Sequence, residues 1–249
     1  MVNAMQRLVK SHPLDRPVWG ALECRQAAVS IGNHLARRFA PGFGPFAATS
    51  DHQREALDAL TELMAPSERL LLLQAAVSPV PRGSIVERRA AGVQMVLKAL
   101  QPLAGRAAVD RLGLADVPEM RALAELTRPG PFEARTHELG AFYGIRDQGR
   151  LIAMAGERMR LNGFVEVSAV CTHPDYRGRG YAAQLTSIVA SQILNRGETA
   201  FLHAYASNTP AIALYKALGF VARCDMIVTV LARTASRIRD RQLETMRAA

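Results

Sequence analysis

Disulfide and zinc chemistry have no foothold in this chain. Its 249 residues include three cysteines, Cys24, Cys171 and Cys224. They lie far apart without a C-x-x-C pair, so neither a bridge framework nor a thiolate metal site is expected. Aromatic residues make up only 6%, too few for the stacking platform that grips single-stranded nucleic acid. No run approaches the ~20 apolar residues of a membrane span, and the first residues lack the apolar region of a signal peptide. Lysine runs are missing as well. The formal net charge of +9 comes from basic residues spread along the chain, which reads as an Arg-rich surface whose positive field also favours an anionic ligand. These absences predict a protein of the reducing cytoplasm, monomer or homodimer, with no metal, membrane or nucleic-acid partner.

What is present is a chain with 49% apolar composition, enough for one large core or two modest ones. Glycine and proline punctuate the first half at Pro41–Pro45 and Pro79–Gly83, with a weaker joint at Gln101–Gly105. Between them the pattern predicts a helix over Val18–Ala36, a helix over His52–Met64 with Asp51 as its N-cap, and strands at Leu70–Ala76 and Gly92–Leu97. From Ala107 a strand to Leu112 leads to a helix capped by Asp116 and broken at Arg128–Pro131. Strands follow at Gly140–Arg146, Arg150–Met159 and Gly163–Thr172, the first two joined by the Asp147–Gly149 turn as an antiparallel meander. After a helix, a strand Ala200–Ala204, a second helix and a last strand Phe220–Leu231, the Arg-rich end from Ala232 reads as solvated.

The most informative stretch is Arg177-Gly178-Arg179-Gly180-Tyr181-Ala182. A β-branched strand precedes it, and Leu185, Ile188, Val189 and Ile193 mark one face of a helix after it. A strand, a glycine turn and a helix in that order aim the first helical N–H groups at one spot, which makes an anion cradle. Neither the G-x-G-x-x-G of a dinucleotide fold nor the G-x-x-x-x-G-K-[ST] of a P-loop is present. The run fits R-x-x-G-x-A, and the later stretch Asn208 to Phe220 fits N-x-x-A-x-x-L-Y-x-x-x-G-F. In both motifs the chain resembles the GNAT superfamily of acetyl-CoA-dependent N-acyltransferases.

The resemblance implies an α/β fold with a mixed, mostly antiparallel twisted sheet flanked by helices. It also implies acetyl-CoA as cosubstrate, with its pyrophosphate on Arg177, Gly178, Arg179, Gly180, Tyr181 and Ala182. In the superfamily the strand before the turn splays from its neighbour, so the backbone at Val170, Cys171 and Thr172 would pair with pantetheine, Val170 N–H serving the thioester oxygen. By the same likeness Tyr215 stands where the general acid stands, and Asn208, at an N-cap position, reaches the pantetheine. The layout resembles the glycine-N-acyltransferase-like branch, with a degenerate half at 1–105 lacking both motifs and a catalytic half at 106–249; an unrelated helical cap is the alternative for the first half.

Glu166, eleven residues before Arg177, matches the base of the histone-acetylating branch. On the period of two it shares a face with Ser168, Val170 and Thr172, unless a bulge resets the parity, and apolar walls would raise its pKa. Cys171 falls on the opposite parity and reads as core, and His173 beside Pro174 reads as a turn residue. The expected activity is transfer of an acetyl group to a primary amine of a small molecule, amino acid or peptide. The alternatives are a longer acyl-CoA as donor, or a CoA-binding module without catalysis.

Overall fold

The computed structural model describes residues 12–103 and 107–234, so the Arg-rich end beyond Thr234 lies outside the described residues. The strands form two sheets. A small one holds β1 (Ser30–Gly32), β2 (Ala36–Phe39) and β3 (Ala47–Thr49). The large one draws β4 (Arg69–Gln74) and β5 (Ser84–Leu97) from the first half. To these it adds β6 (Asp110–Leu112), β7 (Phe142–Asp147), β8 (Arg150–Leu161), β9 (Phe164–Thr172), β10 (Thr199–Tyr205) and β11 (Phe220–Arg233). Its order is β4-β11-β5-β10-β9-β8-β7-β6. β6 to β9 form the expected antiparallel meander, whereas β9 and β10 are parallel. A parallel pair needs a crossover, and helix α4 (Tyr181–Asn195) supplies it.

The expected boundary at residue 105 falls in the segment between β5 and β6, yet the sheet runs across it. β5 lies between β10 and β11 and pairs antiparallel with both, Phe201 opposite Val96 and Phe220 opposite Leu97. The core crosses too: Val18 and Leu22 of α1 (Pro17–Glu23) pack with Phe39, Leu73, Met159 and Phe201 in one cluster. On the other face of the sheet, Leu185, Val189 and Ile193 of α4 bury against Val165, Val167 and Leu202. The four-residue spacing seen in the sequence is the stripe that meets the sheet.

The long first helix is corrected. It ends at Glu23, and the rest of Val18–Ala36 becomes a 3-10 turn at Ala27–Val29, the short strand β1 and the first residue of β2. Gly32 has φ of 122°, and a Cβ there would lie 2.1 Å from Ala36 O, so the chain reverses where helical periodicity seemed to continue. The helix expected over His52–Met64 is α2 (Arg54–Glu62). Its N-cap is Gln53, and Asp51 instead accepts from Gln53 N at 2.8 Å. α3 (Val117–Thr127) has Asp116 at its N-cap position without a side-chain cap; that carboxylate accepts from Gly113 N and pairs with Arg146.

Candidate active site

β9 and β10 pair over three positions, Phe164 to Glu166 against Thr199 to Phe201. Beyond that they diverge, β10 staying with β5 to Tyr205, so Val167–Thr172 opens onto a cavity of about 590 Å³. A bulge sits in this stretch: Met154 faces Cys171 but Gly156 faces Ser168, and Ala169 has φ of 52°. The extra residue resets the parity. Val165 and Val167 pack on the α4 side, as Val170 does after the bulge, while Cys171 joins Met120 and Leu123 of α3. Cys171 therefore shares the sheet face of Glu166 rather than the opposite one, yet it is core as expected, with burial pushing its thiol up to about 11.

The Arg177–Ala182 turn closes one end of the cavity. Gly178 and Gly180 have φ of 76° and 82°, and a Cβ at either would meet nothing within 4 Å. Glycine is there for its backbone, not to relieve crowding, and the space beside it is open to a ligand. α4 starts at Gly180 with no side-chain cap, so its first N–H groups are free donors with the dipole behind them. The Arg177 side chain is exposed, and Arg179 rests over the Tyr176 ring at 4.8 Å. Thr172 Oγ1 is buried without a hydrogen-bond partner among the described residues, on the cavity wall. His173 belongs to the 3-10 turn, where its ring accepts from Asp175 N and meets Arg150.

Tyr215, in α5 (Thr209–Ala217), lines the same cavity at 8% exposure. Burial, and then the neighbouring Cys171, push its phenol up to about 12, so it stays protonated at neutral pH. Asn208 caps α5 by accepting from Ala211 N at 3.3 Å, and it too lines the cavity.

Glu166 departs from expectation. It is 0% exposed, and burial alone would raise its pKa. Arg158 outweighs that, with His203 adding to it, and the carboxyl falls to about 2. Its oxygens are filled: Arg158 Nε and Nη2 donate at 2.8 and 2.7 Å, His203 Nδ1 donates at 2.7 Å and Met159 N at 3.3 Å. The tautomer of His203 follows from its other side, where the Gln94 amide nitrogen approaches Nε2 at 2.9 Å. That nitrogen also donates to Leu14 O, while the Gln94 oxygen accepts from Arg223, so His203 Nε2 accepts and Nδ1 carries the proton. Arg223 pairs in turn with Asp15 at 2.6 Å. Among the described residues no group of three or more His, Cys, Asp or Glu gathers as metal ligands would.

A family model described as FR47-like protein matches residues 142–228. A solved structure from Novosphingobium aromaticivorans, assigned to the GNAT family as an acetyltransferase, is 44% identical over 90% of this chain and all of that one, with a TM-score of 0.84. The chain belongs to the GNAT family of acetyltransferases. A GCN5-related N-acetyltransferase from Kribbella flavida shares the fold at 18% identity, covering 89% of this chain and 94% of its own, with a TM-score of 0.58. No curated protein matches.

In this GNAT acetyltransferase the structure brings Arg177 to Ala182, Val170 to Thr172, Asn208, Tyr215 and Glu166 to one cavity. Sequence reasoning missed part of its wall. Phe46, Leu71 and Leu73 come from the first half, and Arg158 and His203 from β8 and β10. A lone arginine or histidine within a strand carries no signal of its own; only pairing with Glu166 gives these meaning.

Proposed function

We propose that this GNAT acetyltransferase moves an acetyl group from acetyl-CoA to the primary amine of a small molecule, amino acid or peptide, by direct attack of the amine on the thioester. The observation that carries the reading is the uncapped glycine turn before α4 opening onto the same cavity as the Tyr215 hydroxyl. The free N–H groups at Gly180 to Ala182, with Arg177 and Arg179, suit the pyrophosphate. The orphaned Thr172 hydroxyl, the backbone at Val170 and Cys171, and Asn208 suit the pantetheine. The thioester supplies the activated acyl group. Tyr215, neutral and with its hydroxyl hydrogen-bonded to nothing among the described residues, protonates the departing thiolate. Glu166, with every lone pair occupied, holds Arg158 and His203 in place, and water carries off the ammonium proton. The likeness to the glycine-N-acyltransferase-like branch is supported by Phe46, Leu71 and Leu73 of the first half lining the cavity while the sequence of that half carries no R-x-x-G-x-A motif.

Calorimetric titration should give one acetyl-CoA bound per chain, and a thiol-release assay should show turnover with amines. Tyr215→Phe should lower turnover by roughly 10- to 10⁴-fold with little change in acetyl-CoA affinity. Absence of acetyl-CoA binding defeats the reading. A collapse of affinity with normal turnover of the bound complex makes Tyr215 a positioning residue.

A further inference from the structure

The cavity reaches past the turn, to the side of the β9 bulge where Glu166 lies, and the wall there has a definite chemistry. Leu71, Leu73, Met226 and Val228 make it apolar. Among the described residues, the charged groups on the cavity are four arginines, Arg128, Arg158, Arg177 and Arg179, and a single carboxylate, Glu166, which is saturated. An acceptor carrying a second ammonium finds no free acidic group to meet it.

Arg158 is different. It is 9% exposed, its Cζ sits 4.5 Å from the Phe46 ring centroid, and its Nε and Nη2 are taken by Glu166. Nη1 has no hydrogen-bond partner among the described residues, and it lies 3.9 Å from where a Cβ on Gly130 would be, beside the turn that closes this side of the cavity. A guanidinium keeps its charge in any pairing, so the N–H groups left over on this nearly enclosed side chain, facing the cavity, are donors suited to an anionic acceptor. Arg128 adds a second cation, with its side chain unpaired among the described residues and its backbone in the left-handed region at φ of 50°.

We propose that the acceptor is a free amino acid with an apolar side chain, its carboxylate held by Arg158 Nη1 and its side chain seated on the wall of Leu71, Leu73, Met226 and Val228. This rests on the acetyltransferase reading above. It gives the first half a share in substrate choice, since Phe46 stacks on the carboxylate-binding arginine and Leu71 and Leu73 form the seat.

The test measures thiol release from acetyl-CoA with L-leucine, L-leucinamide, 3-methylbutylamine and the dipeptide leucylglycine. The first alone has an apolar body, an amine and an adjacent carboxylate. Its kcat/KM should exceed the other three by about 30-fold, the scale of one charge-assisted hydrogen bond. Arg158→Lys, which keeps a cation beside Glu166 but not the third N–H of the fork, should erase most of that preference through KM. Leu73→Ala should shift preference towards L-phenylalanine. If Arg158→Lys does not fold, thermal stabilisation of the wild-type protein with CoA by L-leucine, but not by L-leucinamide, carries the same information.

Equal rates for leucine, its amide and the dipeptide overturn the inference while leaving the acetyltransferase reading intact. So does a Leu73→Ala variant that changes acyl-chain preference rather than acceptor preference, because the wall then serves the donor. If acetyl-CoA does not bind at all, the functional reading fails and the inference falls with it.

Discussion

A carboxylate sealed in an interior keeps its charge only in company, and Glu166 shows how much company that takes. Arg158 and His203 hold its pKa near 2 against burial, compared with an ordinary 4.5. A folded-state pKa below the unfolded one adds stability that is fully present above the ordinary carboxyl range and is lost as pH falls towards the folded value. We therefore expect unfolding midpoints in urea to be steady near neutrality and to fall as pH drops from 4.5 towards 2. Glu166→Gln should flatten that acid limb. It should also cost about 3–5 kcal/mol at neutral pH, because Arg158 is left as a buried charge without its counterion. Identical acid limbs for the two proteins would show that the pair does not carry this stability.

At the scale of elements, the strand, turn and helix around Arg177–Ala182 make one device. The bulge at Ala169 and the loss of pairing with β10 free the end of β9, and the positive φ at Gly178 and Gly180 swings the chain so that α4 points its N-terminus at the gap. Two substitutions at Gly180 separate backbone from charge. Asparagine and aspartate tolerate the left-handed region about equally well, but only aspartate brings an anion to the helix N-terminus. Gly180→Asp should weaken acetyl-CoA binding by at least about 100-fold, and Gly180→Asn by less than about 10-fold, measured by calorimetry with circular dichroism as the check on folding. Equal losses would make the site's tolerance of bulk, not its electrostatics, the deciding property.

Over the whole molecule, the two halves of the chain share one sheet. β5 pairs with β11 along nearly its whole length and with β10 over Gly92–Val96, so a fragment of residues 106–249 would carry every motif residue yet lack the strand that joins β10 to β11. Its exposed edges and the uncovered Phe201 and Met226 invite aggregation. The fragment should be insoluble or inactive when expressed alone. A soluble, fully active fragment would show that the first half is dispensable to the sheet.

The turn before α4, the α5 motif and the meander were legible because each depends on local chemistry: glycine where φ is positive, leucine and valine every fourth residue, alternation along a strand. The insertion of β5 was not legible, since pairing between Val96 and Phe201 or Val221 is a contact between distant parts of the chain that no periodicity records. The bulge at Ala169 was equally hidden. Alanine gives no sign of a left-handed residue, and the side to which Val170 and Cys171 turn follows from it. Glu166 stood out in the sequence as a candidate, but its character came from Arg158, His203 and, through Gln94, Arg223 and Asp15. Local chemistry was enough to mark the family motifs and most of the elements in the second half. Which groups surround a charge emerges only when distant strands pack together, and in an interior of low polarisability those neighbours set what the charge can do.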